Sequence, residues 1–283
     1  MKRIFTIFML CAFAGAYAQP VREDDRLKGN VKSLHETGYA AVYKSGEPDK
    51  GELLYDKSHQ YDLKGYITES SMYDPVDRFK SKLVRKYIRV YDDGGNPIER
   101  RCYDGNGNLE SISAWKYDDN GNRTEEIECY PNGRSKYKYT YKYDDCGNRT
   151  EWYCYGFDGS LDEKHTYKYD DNGYVIEENL YDPDDCLFSS HTWKYDEKGN
   201  RIEWNGCNII SRLNSKHSWK YTWIYDDNGN RIKWNGYESD GRLKYNYSWK
   251  YKYDLKGNWT ESIYYNEAGI AISISEQTIE YYE

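Results

Sequence analysis

Apolar and polar residues alternate along most of the chain with a period of two, which is the pattern of β-strands that turn one face toward a core. In residues 137–143, tyrosine occupies every second position and lysine or threonine the positions between. Residues 219–225 and 249–253 repeat this alternation with tryptophan and tyrosine. The sequence therefore predicts an all-β fold.

These strands are separated by turns that recur at a regular spacing. A Tyr-Asp pair is followed by glycine at the fourth position after the tyrosine, and the spacing between copies is 26 to 30 residues. Eight tyrosines mark the copies: Tyr61, Tyr91, Tyr117, Tyr143, Tyr169, Tyr195, Tyr225 and Tyr253. Asp and Asn favour turn positions, and glycine adopts the positive φ that closes a three-residue hairpin with a bulge. Each marker therefore predicts a β-hairpin.

A second, weaker turn lies midway between successive markers, as in residues 131–133 and 239–241, so each unit contains two strands. Strands joined by short turns lie antiparallel to each other. We predict an antiparallel meander of about sixteen strands over residues 61–283. So wide a sheet twists, which favours a curved or spiral sheet over a flat single layer. Residues 19–60 lack the marker but contain strand-like segments, and they are predicted to form an N-terminal β cap.

The N-terminus predicts secretion. Lys2 and Arg3 precede a short apolar stretch, and Ala16-Tyr17-Ala18 is the small-x-small pattern of a cleavage site. We expect residues 1–18 to be a signal peptide and the mature protein to be secreted, periplasmic or at the cell surface. No later stretch approaches the ~20 apolar residues of a transmembrane helix, so no transmembrane segment is predicted.

The amino-acid composition indicates which residue types form the core. Apolar residues make up 38% of the chain, and this count includes 34 tyrosines. Because globular domains average about 45–50% apolar residues, the interior must consist partly of tyrosine. The formal charge is −8, with no basic cluster, and phosphate contacts require concentrated Lys and Arg. A nucleic-acid partner is therefore not expected.

The repeated marker resembles the YD repeat of the RHS family. The resemblance is carried by the eight copies over about residues 61–270, for example Tyr117-Asp-Asp-Asn-Gly-Asn-Arg-Thr-Glu125. It implies hairpins that wind into a spiral β-shell, and a role in cell-surface contact or in enclosing a toxin segment. The unit here is longer than the usual family unit, and only 26 residues follow Gly257. We therefore expect no toxin domain, and a likeness to short secreted RHS-like proteins of Bacteroides-type bacteria.

Acidic residues also recur with the repeat. The eighth residue after the marker tyrosine is glutamate in seven of the eight copies. Glycoside hydrolysis needs one pair of carboxylates flanking a bond, whereas these glutamates occur once per unit. We predict that they pair with Lys or Arg across neighbouring strands on a solvated face, and we identify no catalytic residue.

Metal and disulfide sites are not predicted. Placing Gly121 at position six of an EF-hand loop puts Lys116 and Ile127 at the first and last ligand positions. Three histidines recur at the 26-residue period, and equivalent positions two strands apart lie ~9.5 Å from each other, too far to share a zinc ion: His165, His191 and His217. We expect them in the aromatic face, and no cofactor.

The six cysteines after the predicted signal peptide are also expected to be unpaired. An even count in a secreted protein is compatible with disulfides. However, equal or adjacent repeat positions lie two strands or more apart, beyond the ~7 Å that a bridge allows between Cα atoms. Bonds would form only if the sheet folds back on itself. The cysteines are Cys102, Cys129, Cys146, Cys154, Cys186 and Cys207.

Tryptophan is the most suggestive candidate for ligand binding. The ninth residue after the marker tyrosine is Trp152, Trp204 or Trp234 in three units. A regular series of indole faces suits the stacking of flat apolar surfaces such as sugar rings, although aromatic side chains also supply ordinary sheet packing.

We therefore interpret the protein as a secreted, non-enzymatic binding or structural protein of the cell envelope or surface. It would contact a glycan or a surface protein through an aromatic sheet face. A secreted hydrolase acting on carbohydrate and a component of a surface or secretion complex are the alternatives.

Overall fold

A computed structural model describes residues 27–77, 80–210 and 215–283. The predicted signal peptide, residues 1–18, lies outside these ranges. The described chain forms eighteen strands: β1 Val31–Lys44, β2 Glu47–Tyr61, β3 Ile67–Asp77, β4 Lys80–Tyr91, β5 Pro97–Asp104, β6 Leu109–Tyr117, β7 Arg123–Cys129, β8 Ser135–Tyr143, β9 Arg149–Tyr155, β10 Leu161–Tyr169, β11 Val175–Tyr181, β12 Leu187–Tyr195, β13 Arg201–Ile210, β14 Ser215–Tyr225, β15 Arg231–Tyr237, β16 Leu243–Tyr253, β17 Trp259–Tyr265 and β18 Ala271–Tyr281.

The marker turns have the predicted geometry. In the turn between β6 and β7, the Gly121 N–H donates to the Asp118 carbonyl (3.0 Å) and the Asp118 N–H to the Asn122 carbonyl (2.9 Å). The Asp118 carboxylate accepts from the N–H groups of Asn120 and Asn122 at 3.0 and 2.8 Å. Gly121 has φ 80°, and the pairing register shifts at Tyr117, which is the expected bulge. The hairpin prediction is confirmed.

The marker tyrosine has a role that turn chemistry does not explain. The Tyr143 hydroxyl donates to the Arg123 carbonyl oxygen (2.8 Å), which belongs to the neighbouring strand just after the preceding marker turn. Five further markers make the same bond at 2.7 to 2.9 Å: Tyr91, Tyr117, Tyr169, Tyr195 and Tyr225. Each of these tyrosines therefore ties one repeat to the previous one.

The sheet closes into a barrel. Every strand pairs antiparallel with its neighbours in sequence, and β1 also pairs with β18, for example at Leu34 with Ile279 and Glu36 with Gln277. The prediction of a curved or spiral sheet is therefore wrong, because the sheet closes. The antiparallel meander of about sixteen strands is confirmed for residues 61–283, where β3 to β18 are sixteen strands, and β1 and β2 bring the total to eighteen. The reason is that residues 31–61 supply two long strands, one of which covers the edge that the last strand would otherwise leave unpaired.

The two faces of the barrel wall differ in chemistry. On one face, side chains such as Leu34, Ser113 and Trp193 are buried, and this face carries most of the aromatic rings. The other carries lysines whose side chains are largely exposed, such as Lys116 and Lys252. The more crowded, more buried face of a closed sheet is the inner one, so we assign the aromatic face to the inside. A small apolar group on the opposite face, with Leu53 and Ile274, is the exception.

Buried tyrosine replaces aliphatic residues in the inner wall, as the composition predicts. Tyr141 and Tyr167 are buried, and Tyr167 packs with Val175 and Trp193 in one apolar cluster. The described part of the chain contains no helix with the length and apolar character that a membrane crossing requires.

Candidate functional site: an aromatic belt on the inner wall

The three tryptophans of the predicted binding series lie on the inner wall at equivalent heights. Trp152, Trp204 and Trp234 occupy β9, β13 and β15, and pairing register opposes them to Tyr141, Trp193 and Trp223 on the preceding strands. All three side chains are half-buried, so part of each ring remains accessible. Each of them is the ninth residue after a marker tyrosine. Because every marker turn has the same length and the same bulge, this position always lies on the same face of the wall.

Aromatic rings connect Trp204 to Trp234 in one continuous path, and they connect Trp152 to Tyr139 and His165 in a separate one. Trp204 lies 5.4 Å from Tyr221 between ring centroids, and Tyr221 lies 5.4 Å from Trp234. Trp234 stacks on Tyr247 at 5.2 Å. We call the whole set the aromatic belt, and it runs over β8 to β17: Tyr137, Tyr139, Trp152, His165, His191, Trp204, Trp219, Tyr221, Trp234, Tyr245, Tyr247, Trp249 and Tyr264.

Two glycines make room for rings of the belt. A Cβ atom at Gly206 would come within 2.2 Å of the Trp219 ring, and one at Gly236 within 2.8 Å of Tyr245 and 3.0 Å of Tyr221. Glycine in a strand often marks such a close approach. The rings of Trp219 and Tyr221 therefore lie over the strand next to their own, which lets the belt pass from β13 to β15.

A buried polar cluster interrupts the belt at β11. His165 is 3% exposed, and its Nδ1 atom lies 2.8 Å from Glu178 Oε1 while its Nε2 atom lies 3.2 Å from Glu163 Oε1. The Trp152 ring meets the imidazole edge to face at 4.2 Å. Burial alone would lower the pKa of His165, but the Glu163 and Glu178 carboxylates outweigh it and raise the pKa. The two carboxylates on either side of the buried imidazole thus favour its protonated form.

His191 holds the equivalent position two strands away in a different state. Trp204 Nε1 donates to His191 Nδ1 at 3.0 Å, so the proton of the neutral ring is on Nε2, which donates to Ser189 Oγ at 3.0 Å. Burial lowers the pKa of His191. His165 and His191 thus lie on the aromatic face, as predicted. His217 is exposed, and its ring contacts that of Trp219.

The recurring glutamates lie on the outer wall in ion pairs with lysine. Glu125 pairs with Lys116 and Lys138, both at 2.7 Å. Glu203 lies between Lys194 (2.8 Å) and Lys220 (2.6 Å). Burial opposes ionisation of Glu203, but hydrogen bonds from the two lysines and Asn205 lower its pKa to about 2. The repeated glutamates therefore have a structural role, because they form ion pairs with lysines on neighbouring strands of the barrel wall.

A cavity of about 570 Å³ lies over β12 to β15, and most of the residues that line it face outward. Its walls include Thr192, Asn205, Lys220 and Tyr237. None of Trp152, Trp204 and Trp234 contributes to it, and no sequence pattern predicted this cavity, because its residues acquire a common position only through strand register. It is a second candidate site, and it shares Trp219 with the aromatic belt.

The six cysteines are all free, as predicted. Cys102 and Cys154 are buried, and burial raises the pKa of the Cys102 thiol. Within the described ranges, no group of His, Cys, Asp and Glu is arranged to hold a metal ion.

The inner wall contains one non-repeating group of acids and histidine, which is what a hydrolase would require. However, Glu178 and His165 are each 3% exposed and hydrogen bonded to each other, so both side chains are largely inaccessible to a substrate. Sequence reasoning missed this cluster because Glu163 and Glu178 sit on strands on either side of a turn and meet only through the register. The contact between His165 and Glu178 stabilises the wall. The half-buried rings of the aromatic belt remain accessible for stacking.

Comparison with known proteins does not assign a family. No family model matches the sequence, and no curated protein matches it. Among solved structures, a porin-like protein from Bacteroides uniformis is 12% identical with a TM-score of 0.45, and the match covers 90% of this chain and 98% of that chain.

Two further structures are similar over most of this chain. A porin-like protein from Bacteroides vulgatus is 12% identical with a TM-score of 0.34, over 89% of this chain and 98% of that one. The Photorhabdus luminescens Tc holotoxin pore is 12% identical with a TM-score of 0.32, over 80% of this chain but 15% of that chain. At these similarities none of the three indicates an activity.

Proposed function

We propose that the protein is a secreted, non-enzymatic binding protein of the cell envelope or surface that holds a glycan against the aromatic belt. The observation that carries this proposal is the two runs of the belt on either side of β11: rings follow one another over β8 to β10 and over β12 to β17 with centroid separations of 4.2 to 6.3 Å, and all of them except Tyr137 and His165 are half-buried. A long row of accessible ring faces suits an extended ligand with repeating flat faces.

The barrel supports the same proposal. Side chains just fill a barrel of about eight strands, and wider barrels retain interior space for a ligand. With eighteen strands, the inner wall has room for a bound chain. The hydrophobic stretch and cleavage pattern of residues 1–18 support delivery of this wall to the envelope.

The test is binding of neutral oligosaccharides by the mature chain, followed by intrinsic tryptophan fluorescence and calorimetry. We expect a shift with at least one oligosaccharide class, and a loss of affinity of about tenfold for Trp204→Ala and again for Trp234→Ala, since each ring contributes on the order of 1 kcal/mol. Circular dichroism confirms that the variants keep the barrel. No binding across a broad panel would refute the proposal.

The control is Tyr237→Ala, because Tyr237 lies on the outer wall in the 570 Å³ cavity and not in the belt. This variant should bind like the parent. If Tyr237→Ala abolishes binding while Trp204→Ala and Trp234→Ala leave it unchanged, the ligand occupies the outer cavity and the belt is structural.

A further inference from the structure

Each tryptophan of the predicted binding series has an arginine three residues before it on the same strand. In these three units, the sixth residue after the marker tyrosine is arginine: Arg149, Arg201 and Arg231. Residues three apart on a regular strand point to opposite faces, but the bulge at each marker turn shifts the register by one residue. The arginine and the tryptophan of one unit therefore lie on the same inner face, with the arginine nearer the marker turn.

The guanidinium groups of Arg201 and Arg231 lie against rings of the inner wall. The Cζ atom of Arg201 is 5.4 Å from the ring centroid of Trp193, and that of Arg231 is 5.5 Å from the ring centroid of Trp223. A ring contact occupies the flat face of a guanidinium and leaves the N–H donors at its edge available. Arg201 also hydrogen bonds to the Tyr195 hydroxyl, which uses only part of its five donors. Arg201 is half-buried and Arg231 is exposed, so both present donors to the barrel interior.

Another unit shows how an arginine at this position is neutralised within the wall. Its sixth residue is Arg123 and its ninth is Glu126, and Arg123 Nη1 lies 3.2 Å from Glu126 Oε2. Tryptophan at the ninth position replaces this carboxylate in the units of Arg201 and Arg231. Within residues 27–77, 80–210 and 215–283, neither of these two arginines forms an ion pair. Their charge therefore lacks the partner that Glu126 gives to Arg123.

The acids close to these two units in the chain have other partners. Asp196 and Asp226 begin the preceding marker turns, and each carboxylate accepts two backbone N–H groups of its own turn at 2.8 to 3.0 Å. The Glu203 carboxylate lies on the outer wall between two lysines. The positive charge on the inner wall at β13 and β15 is therefore available to a ligand.

The two arginine–tryptophan pairs are repeated along the wall at one height. They lie on β13 and β15, two strands apart, which is a separation of about 9.5 Å. Tyr221 connects Trp204 to Trp234, with 5.4 Å between ring centroids on either side. A guanidinium fork matches the two oxygens of a carboxylate. Each pair thus combines an aromatic face for a sugar ring with a cation for an acid group on that sugar.

We propose that Arg201 with Trp204, and Arg231 with Trp234, form two equivalent subsites for the uronic acid units of an acidic glycan. In each subsite the sugar ring stacks on the tryptophan and the carboxylate binds the arginine. Arg149 and Trp152 lie on the other run of the belt, beyond β11, and are not part of this site. This inference rests on the proposed function and specifies the class of its ligand.

The experiment compares a galacturonic-acid oligosaccharide with its methyl ester, which keeps the sugar rings and removes the charges. By calorimetry at low salt, the mature chain should bind the acid about a hundredfold more tightly than the ester, since each of two charge-assisted bonds contributes about tenfold. This ratio should shrink as salt increases. Arg201→Gln and Arg231→Gln should each reduce the ratio to about tenfold, and the double variant should lose the preference. Circular dichroism confirms that the variants keep the barrel.

The control is Lys233→Gln. Lys233 lies on β15 two residues after Arg231, but it is adjacent to the inner Trp234 and points to the outer wall. Lys233→Gln removes the same charge from the same strand, so its ratio of acid to ester affinity should equal that of the parent. Arg231→Lys keeps the charge without the fork and should fall between the parent and Arg231→Gln.

Three outcomes overturn the inference, and they differ in what else they remove. Equal binding of acid and ester, with Arg201→Gln and Arg231→Gln like the parent, refutes the acidic subsites and leaves glycan binding intact. An equal loss in Lys233→Gln shows a nonspecific charge effect and also refutes the subsites. Failure of the parent chain to bind acid, ester or any neutral oligosaccharide refutes glycan binding itself.

Discussion

At the scale of single residues, one repeat position has two different chemistries on the inner wall. The ninth residue after the marker tyrosine is Trp152, Glu178 or Trp204 in three successive units. The tryptophans keep exposed ring faces, whereas Glu178 is buried against His165. The uniform backbone therefore positions side chains, and the substitutions at one position decide whether a site is open or closed.

Replacement of Glu178 should change the ionisation of His165. Because the folded pKa of His165 is raised above 6.5, the imidazolium stabilises the fold below pH 6.5, and that contribution is lost as pH rises through the folded pKa. Glu178→Gln should lower the pKa of His165 and reduce the free energy of unfolding at pH 6 by about 1.5–3 kcal/mol, with a smaller difference at pH 9. Urea denaturation and NMR titration of the imidazole measure both effects.

The matched control is Glu177→Gln, since Glu177 is adjacent in sequence but lies on the outer wall in an ion pair with Lys168 (2.8 Å). It should cost under about 1 kcal/mol and leave the pKa of His165 unchanged. An unaltered His165 titration in Glu178→Gln would show that Glu163 alone sets the charge.

At the scale of elements, the repeat is held together at its marker turns. Each turn satisfies its own backbone groups through the aspartate, as Asp118 does with Asn120 and Asn122. The following marker tyrosine then bonds to the carbonyl just beyond that turn, as Tyr143 does with Arg123. The Tyr-Asp pair thus combines a bond within a hairpin and a bond between hairpins.

Removal of one of these hydroxyl groups should weaken the junction between two repeats. Tyr143→Phe deletes the bond to the Arg123 carbonyl and leaves the ring in place, so we expect a loss of about 1 kcal/mol in the free energy of unfolding. Tyr155→Phe on the outer wall, where no hydrogen bond of the hydroxyl is found within the described residues, should change it by less than about 0.5 kcal/mol. Urea denaturation compares the two. Equal stability of both variants would mean that water replaces the lost bond.

At the scale of the whole molecule, closure depends on strands outside the repeats. The β1 strand begins thirty residues before the first marker and pairs with β18 after the last one. Closure removes both sheet edges, which would otherwise be free to pair with other chains.

An engineered disulfide tests this closure. His35 and Thr278 are direct partners across β1 and β18, and paired residues in antiparallel strands have Cα separations of about 4.5 or 5.5 Å, within disulfide range. The double variant His35→Cys with Thr278→Cys should form an intramolecular bond, detected by faster migration on a non-reducing gel. His35→Cys with Glu261→Cys, which skips one strand, should not. Only intermolecular dimers in the first variant would indicate an open sheet.

Local features of the fold were predictable and distant ones were not. The hairpins follow from glycines such as Gly121, and the common face of Trp152, Trp204 and Trp234 follows from the constant spacing between units. Closure depends on contacts between residues more than 200 positions apart, such as Leu34 and Ile279, and residues 31–60 lack the marker that would have related them to the sheet. The His165 cluster required the exact register, which the bulge at each marker shifts by one residue.

The barrel consists of units that each add two strands, so its internal diameter changes in discrete steps with the number of units. One unit contributes about 9.5 Å to the circumference, and barrel diameter grows roughly linearly with strand number. Removing one 26-residue unit would leave sixteen strands and a barrel narrower by about one ninth, while β1 and β18 would still meet. Duplication or loss of a repeat would therefore change the internal diameter of the barrel, and with it the size of the ligand that fits inside. The pairing of β1 with β18, which closes the barrel, would stay the same.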